Sequence, residues 1–370
     1  MTTDLTISFI LIILLPIFII MTFIPYWTRK TESFGVSIPE DVYDDRNIQS
    51  LRKNYTYRMI ILSIIHIVAL LLLFLLTDIT EQTLIIVYTS SIFIYLIVSF
   101  FIYLTFHRQM KQLKQDEGWF QKRKQQTYIH MKFRDQKLTV SHFLFIIPFI
   151  IALITMGWTL MNYEFFPSKI PMNYSLTGEV TNWAEKSYRT VLFLPSTQIV
   201  LTIIFVVVNI AISQAKQQVS STNPEESLRR NVIFRRRWSI FLFLASIALT
   251  LMFTVAQLSL VYQIPSSLLM VIFIVTIFSI IGGSVILSIT TGQGGSRIKF
   301  ASSTRHDIID RDDDEHWKLG QFYFNKDDPA LFVEKRFGIG WSINHARPAA
   351  WLLILAVIVI AVGIPVLLSL

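Results

Sequence analysis

Eight apolar blocks, at 5–26, 57–77, 83–106, 140–161, 191–212, 238–261, 267–289 and 349–368, constrain this chain more than any other feature. Each is about twenty residues long, enough for an α-helix to cross a hydrocarbon core roughly 30 Å thick at a rise of about 1.5 Å per residue. No charge sits in the central portion of any block, so all eight are tolerable in lipid. Of the 370 residues 53% are hydrophobic and 16% charged, and the gathering of the first group into blocks sets the class. The expected fold is an all-α polytopic membrane protein with about eight transmembrane helices. The opening run "MTTDLTISFILIILLPIFIIMTFIPYW" has no basic leader and no small-residue cleavage site, so it reads as a retained span. The absence of cysteine excludes disulfides, thiolate metal ligands, thiol nucleophiles and S-acylation.

The 33 Lys and Arg outnumber the 25 Asp and Glu, and they are placed unevenly. Thirty of the 33 fall in segments 27–58, 107–139, 213–237 and 290–348, whereas the alternate segments hold Lys169, Lys186 and Arg189. Lys and Arg resist translocation, so the basic side is expected in the cytoplasm and both termini outside. An even number of spans requires termini on the same side, in agreement. The runs "QKRKQQ" (121–126) and "RRNVIFRRRW" (229–238) then read as juxtamembrane patches that meet anionic lipid headgroups, at about 1 kcal/mol per residue. No recognition module surrounds them, so a nucleic-acid partner is not expected.

The blocks divide the chain into a three-helix membrane region (1–139), a helical hairpin with a long outer loop at 162–190 (140–212), and a two-helix hairpin (213–289). A small cytoplasmic α/β or irregular element (290–348) and the last span (349–370) follow. Helix signals continue several spans into the loops. Asp44 or Asp45 caps the second, Asn223 with Pro224, Glu225 and Glu226 opens the sixth, and the third runs on to Gly118. Ser279 with Gly283, and Ser284 with Ser288, allow close helix contact in the seventh. Within 290–348, "KLGQFYFN" reads as a short strand. "NKDDPALFVEKRFG" reads as a helix, with Asp328 as cap, Pro329 at its first position and Gly338 at its end. Gly338 and Gly340 permit positive φ, and Trp341 and Trp351 suit the membrane interface on either side of Pro348.

Reactive constellations are few. Asp310, Asp312 and Asp314 have the first spacing of a calcium loop, but Glu315 stands where glycine is required and Gln321 ends the loop. An acidic turn facing the basic loops is favoured, and no metal is expected. Glu225, Glu226 and Arg230 lie at a helix start, where capping explains them. No H-E-x-x-H, G-x-S-x-G or P-loop pattern occurs, so no catalytic residue and no cofactor is expected. Within the spans, His66, Asn209 and Gln257 are the notable polar residues. His66 would relay protons if it faced water, but a lone histidine in a span is more often bonded to a neighbouring helix. In the outer loop Pro171, Asn173, Tyr174, Gly178, Asn182, Trp183 and Lys186 are the candidate external contacts. Turn chemistry from Pro167, Pro171 and Gly178 is the plainer account of the same stretch.

Residues 316–344 resemble an uncharacterised C-terminal domain of bacterial membrane proteins, with a pattern near HW-x-x-G-x-x-Y-x-N-x-x-D-P-x-x-F-V-x-K-R-x-G-x-G-W-x-x-N. His316, Trp317, Gly320, Tyr323, Asn325, Asp328, Pro329, Phe332, Val333, Lys335, Arg336, Gly338, Gly340, Trp341 and Asn344 carry the match. "TESFGVSIPE" (31–40) resembles the F-G-V-x-x-P turn that follows the first span in such proteins. Residues 166–187 resemble the outer-loop signature of the SdpI-like family, through Pro171, Tyr174, Gly178, Lys186 and Ser187. Asn173 replaces the usual His of that signature, Ser175 the usual Asn, and Asn182 falls near the usual Asp.

The resemblance implies a non-enzymatic protein of the bacterial cytoplasmic membrane, working in immunity to, or sensing of, membrane-active peptides or envelope stress. An extracellular peptide, a cytoplasmic regulator or other membrane subunit, and anionic lipid are the partners it suggests. A transporter or transporter-associated subunit moving a small molecule or lipid is the alternative, and would need a water-accessible central cavity lined by His66, Asn209 or Gln257. An intramembrane hydrolase is the remaining alternative and would need clustered acids and histidines within the bilayer.

Overall fold

Backbone in hydrocarbon has only itself to bond with, and the apolar blocks answer as helices. The computed structural model describes residues 14–76, 81–121, 123–128, 133, 135–174, 180–262, 264–300 and 308–359. In chain order the helices are α1 (Leu14–Tyr26), α2 (Arg46–Leu76), α3 (Glu81–Glu117), α4 (Ile146–Met161, preceded by the 3-10 turn His142–Phe145) and the short α5 (Tyr188–Val191). Then follow α6 (Phe193–Gln214), α7 (Pro224–Ser259), α8 (Ser266–Thr291) and α9 (Pro348–Ile358). Six of these, namely α2, α3, α4, α6, α7 and α8, are long and apolar enough to cross a bilayer. The rest of the first and last expected spans lies outside the described residues, and with it the count of eight and the sides of the termini.

Helix ends follow the local signals. The Asp45 carboxylate accepts the backbone N–H of Asn47 (2.8 Å) as α2 begins, and Gly118, at φ +61°, terminates α3. Asn223 occupies the cap position of α7, but its side-chain amide donates to Glu226 (2.8 Å) rather than capping a backbone N–H.

Phe18 of α1 packs on Tyr95 of α3 with ring centroids 4.8 Å apart, within a core that α1, α2 and α3 share. α7 touches α4, α6 and α8. Polar side chains line these seams: Ser63 meets Tyr95 (3.0 Å), Thr155 meets Thr254 (3.0 Å), and Gln198 donates to the Thr250 carbonyl (3.0 Å). Apolar side chains such as Ile64, Ile65, Leu72, Ile154 and Ile286 face outward. Apolar outside with hydrogen-bonded polar seams inside is the arrangement lipid selects. A Cβ on Gly283 would lie 2.9 Å from the Phe241 ring, so the small-residue seam expected there carries the α7–α8 contact.

Among the described residues, five two-stranded ladders decorate the bundle. At the Lys/Arg-rich end are β1 (Glu32–Ser33) with β2 (Val36–Ser37), and β3 (Lys124–Gln126) in parallel with β6 (Ile308–Asp310). At the opposite end β4 (Lys169–Tyr174) and β5 (Val180–Glu185) form a hairpin. The last module adds β7 (Trp317–Lys318) with β8 (Phe322–Tyr323), as expected of "KLGQFYFN", and β9 (Phe332–Glu334) with β10 (Trp341–Ile343). The helix expected from "NKDDPALFVEKRFG" is therefore replaced by a turn and β9. Asp328 makes a local turn to the N–H of Ala330 (2.9 Å) instead of capping a helix. Glu334, the last residue of β9, and Arg336 just beyond it are both buried.

Candidate functional site

The residues from Asp310 to Arg347 form a module bolted to the basic end of the bundle by buried ion pairs. Glu334 is its deepest bolt. At 0% exposure it accepts from Arg29, from the Asn231 amide (2.7 Å) and from Arg235 (3.1 Å). Arg235, equally buried, gives its other N–H groups to Asn231 Oδ1 (2.8 Å) and to the carbonyls of Ile212 (2.9 Å), Ala215 (3.0 Å) and Lys216 (2.9 Å). Burial alone would raise the Glu334 carboxyl, but Arg29 and Arg235 outweigh it and hold the group below the ordinary range. The expectation that "RRNVIFRRRW" as a whole faces headgroups is corrected here. Arg229, Arg236 and Arg237 are exposed, whereas Arg235 is an internal strut and Arg230 pairs with Glu226.

Arg336 is the second bolt. Buried against Trp317, with its guanidinium 5.1 Å over that ring, it donates to Asp313, to Asp314 and to the Gly35 carbonyl (3.3 Å). Asp314 also takes Lys114 of α3 (2.5 Å) and the N–H of Ser37 (3.0 Å), while Asp312 takes Lys114 (2.7 Å). Burial would raise Asp314, yet Arg336 and Lys114 push it down to about 2. The acidic run thus faces the basic loops, the reading favoured over a calcium loop. Gly35, at φ +75°, lets the F-G-V turn touch this module so closely that a Cβ would fall on the Gly320 carbonyl and 2.6 Å from the Tyr103 hydroxyl.

Inside the module the pattern residues serve one another. Asp328 accepts from Lys216 of the α6–α7 loop (2.6 Å) and from the Tyr323 hydroxyl (2.7 Å). Burial opposes its ionisation, but these bonds win and keep it below the usual range. Its carbonyl receives the Arg347 guanidinium (2.9 and 2.7 Å) beside Pro329. Asn344 is fully buried, bonded to the backbone of Asn325 on both sides (3.1 and 2.8 Å). Gly338 and Gly340, both at positive φ, turn β9 into β10, and Gly340 exchanges bonds with the Gln293 amide (2.8 and 3.0 Å). Trp341 packs on Phe234 of α7 at 5.1 Å, while Lys335 is exposed and His316 pairs with Glu315 (3.3 Å).

Between this module and the loops lies a polar cavity of about 880 Å³, bordered by Arg29, Glu32, Lys216, Asp310, His316, Tyr323, Asn325 and Asp328. Glu32 is buried at its edge, 3.6 Å from Arg29. Burial, only partly offset by Arg29 and Arg336, pushes its carboxyl up to about 7. Arg29, Glu32, Lys216, Asn231, Arg235, Gln293 and Glu334 were not singled out from sequence. No local signal in the sequence marked Glu334, whose partner Arg29 lies 305 positions away and whose surroundings carry helix-like punctuation.

At the opposite end the outer loop is built, not loose. Pro171 faces Trp183 and Asn173 faces Asn182 across β4 and β5, with a register shift between them. Ile170 is buried with Phe166 and Val191, whereas Trp183 is 53% exposed. Lys186 donates to the Glu164 carbonyl (3.1 Å) and lies 4.7 Å over the Tyr163 ring, which stacks on Tyr188. Tyr174 ends β4; Gly178 falls outside the described residues.

Two segments match known families. Residues 326–351 match the Family of unknown function (DUF5808), and 150–199 match the Domain of unknown function (DUF1648). Both occur in SdpI-like membrane proteins, and neither match reaches half of the chain. No curated protein and no solved structure matches it. The DUF5808 segment holds both bolts, Glu334 and Arg336, and the DUF1648 segment holds the β4–β5 hairpin with the end of α4 and the start of α6.

The three intramembrane polar residues do not meet. His66 contacts Ser91 (3.4 Å) between the rings of Phe18 and Tyr95. Asn209 joins His142 (2.9 Å), the Val140 carbonyl (3.3 Å) and Ser239. Gln257 donates to Thr159 (3.1 Å) and to the Val191 carbonyl (3.0 Å).

Proposed function

We propose that this is a non-enzymatic multi-pass protein of the bacterial cytoplasmic membrane that senses, or confers immunity to, membrane-active peptides. In this reading the basic end lies in the cytoplasm and both termini outside. The hairpin around Trp183 meets the peptide or its disturbed lipid, and the module at 308–347 passes the response to a cytoplasmic regulator or other membrane subunit.

The observation that carries the reading is the attachment of α7 at both ends. This unbroken helix of 36 residues is about 54 Å long at the usual rise. Gln257, near one end, grips the Val191 carbonyl at the foot of the hairpin, and Asn231 and Arg235, near the other, grip Glu334 of the module. A tilt or shift of α7 started at the hairpin is therefore transmitted to a packed, ion-paired module, and packed interfaces respond in discrete steps.

The transporter alternative is less well supported. His66, Asn209 and Gln257 each bond locally at separate places, and neither the 880 Å³ cavity nor its smaller neighbour is lined by any of them. The test is a challenge of a deletion strain with membrane-active peptides. Sensitivity should rise several-fold, return to normal with the wild-type gene and stay raised with Trp183→Ala. Unchanged sensitivity of the deletion strain would end the proposal.

A further inference from the structure

A second cavity, of about 600 Å³, opens at the basic end between the close of α1, the first turns of α2 and the exit of α8. It is separate in purpose from the ion-paired module, and its charge is one-sided. Lys30, Arg52, Lys53, Arg297 and Lys299 contribute to its wall, and Asp44 is the acid among the described lining residues. Arg230 also borders it, but is already paired with Glu226 and Glu40.

Arg52 is the unusual member. It is 2% exposed, its guanidinium lies 3.6 Å over the Tyr43 ring, and its Nε and Nη2 have no acceptor among the described residues. A buried donor without an acceptor is costly, and more so when it is charged. Two adjacent N–H groups on one edge of a guanidinium match two oxygens of a phosphate. Lys53, Arg297 and Lys299 are exposed around it, and Arg297 is held to the end of α8 by the Ile289 carbonyl (3.0 Å).

The height of the cavity along α2 and α8 bears on the source of such a phosphate. The apolar part of α2 starts after Arg58, and Arg52 lies six residues earlier, about one and two-thirds turns or 9 Å along the axis, at the outer edge of the headgroup layer. Headgroups occupy roughly 5–8 Å on each side of the hydrocarbon. Ile289, 40% exposed at the last turn of α8, and Tyr26, at the end of α1, form the wall nearest the lipid.

We propose that this cavity binds a phosphate-bearing anion, namely the headgroup of an anionic phospholipid. Arg52 takes the phosphate oxygens through Nε and Nη2, while Lys53, Arg297 and Lys299 neutralise the net charge. The proposal does not depend on peptide sensing, and holds whichever side the basic end faces.

The test uses the purified full chain in uncharged detergent, titrated with short-chain phosphatidylglycerol, short-chain phosphatidylcholine and glycerol 3-phosphate, with binding read by native mass spectrometry. Phosphatidylglycerol should saturate, phosphatidylcholine should bind at least tenfold more weakly, and glycerol 3-phosphate should not saturate over the same range. Arg52→Gln should weaken phosphatidylglycerol about tenfold or more, and Lys53→Gln, at an exposed site that leaves folding alone, several-fold. Arg236→Gln, an exposed cation outside the cavity, should leave it unchanged. Equal weakening by Arg236→Gln, or no weakening by either cavity variant, overturns the site. Glycerol 3-phosphate binding as tightly as phosphatidylglycerol overturns the lipid and leaves a soluble phosphate ester as the ligand.

Discussion

At the scale of single residues, the buried and half-buried carboxylates at the basic end divide into two kinds that respond oppositely to pH. Glu334 and Asp314 are held ionised by arginines, whereas Glu32 is driven toward its neutral form by burial. Removing the Glu334 charge strands Arg29 and Arg235 without their shared counter-ion, and breaking a buried pair from one side costs about 3–5 kcal/mol. Glu334→Gln should therefore lower stability by that amount in thermal unfolding of the detergent-solubilised protein, while Glu164→Gln, at an exposed site, should change it by less than about 0.5 kcal/mol. The sign for Glu32 is the reverse. Its carboxyl, pushed up to about 7, lies above the ordinary value of 4.5, so stability falls as pH rises through that window. The advantage of Glu32→Gln over wild type should grow by about 3 kcal/mol between pH 4.5 and 8. Asp314 contributes stability above its ordinary pKa of 3.8 that is lost as pH falls toward about 2. A pH-independent difference between Glu32→Gln and wild type would show that Glu32 stays ionised throughout.

At the scale of elements, what was legible is what chain neighbours decide. The start of α2 at Asp45, the start of α7 at Pro224 and the end of α3 at Gly118 all follow from caps and breakers within a turn of the boundary. β9 was illegible because its reasons are distant. Arg29 lies 305 positions from Glu334, and Lys216 lies 112 from Asp328. Asp-Pro with a later Gly reads as helix punctuation, and one Asp328 oxygen does make the cap-type bond to Ala330, but the other is held by Lys216 and Tyr323 and the chain runs on into β9 instead of a helix. The F-G-V turn and the C-terminal pattern were likewise visible separately, but their contact through Gly35 was not. Gly35→Ala should undo that contact, through both positive φ and collision with Gly320. The expected result is a loss of about 1–3 kcal/mol and faster backbone hydrogen exchange at 317–323, with α4 and α6 unaffected. Unchanged exchange there would mean that the turn and the module are held by other contacts.

At the scale of the whole molecule, the charge asymmetry acts in two ways. Thirty of the 33 cations fall in alternate segments of the sequence, yet Arg29, Arg235 and Arg336 are spent on acids of the last module. Those three arginines are structural as well as topological, so stripping them would change fold and orientation together. Exposed ones outside both cavities, such as Arg229 and Arg236, bear on orientation alone. The side of each end can be measured without disturbing either set, because the chain has no cysteine and an introduced one reports without background. Asn182 at the hairpin and Lys326 in the module are both exposed. In intact cells Asn182→Cys should react with a membrane-impermeant maleimide, and Lys326→Cys should react only after permeabilisation. The opposite pattern would put the module outside and the hairpin in the cytoplasm. The ion pairs and the α7 connection would survive that inversion unchanged, but peptide contact would then have to be sought at the module, where Lys335 and Phe322 are exposed, instead of at Trp183.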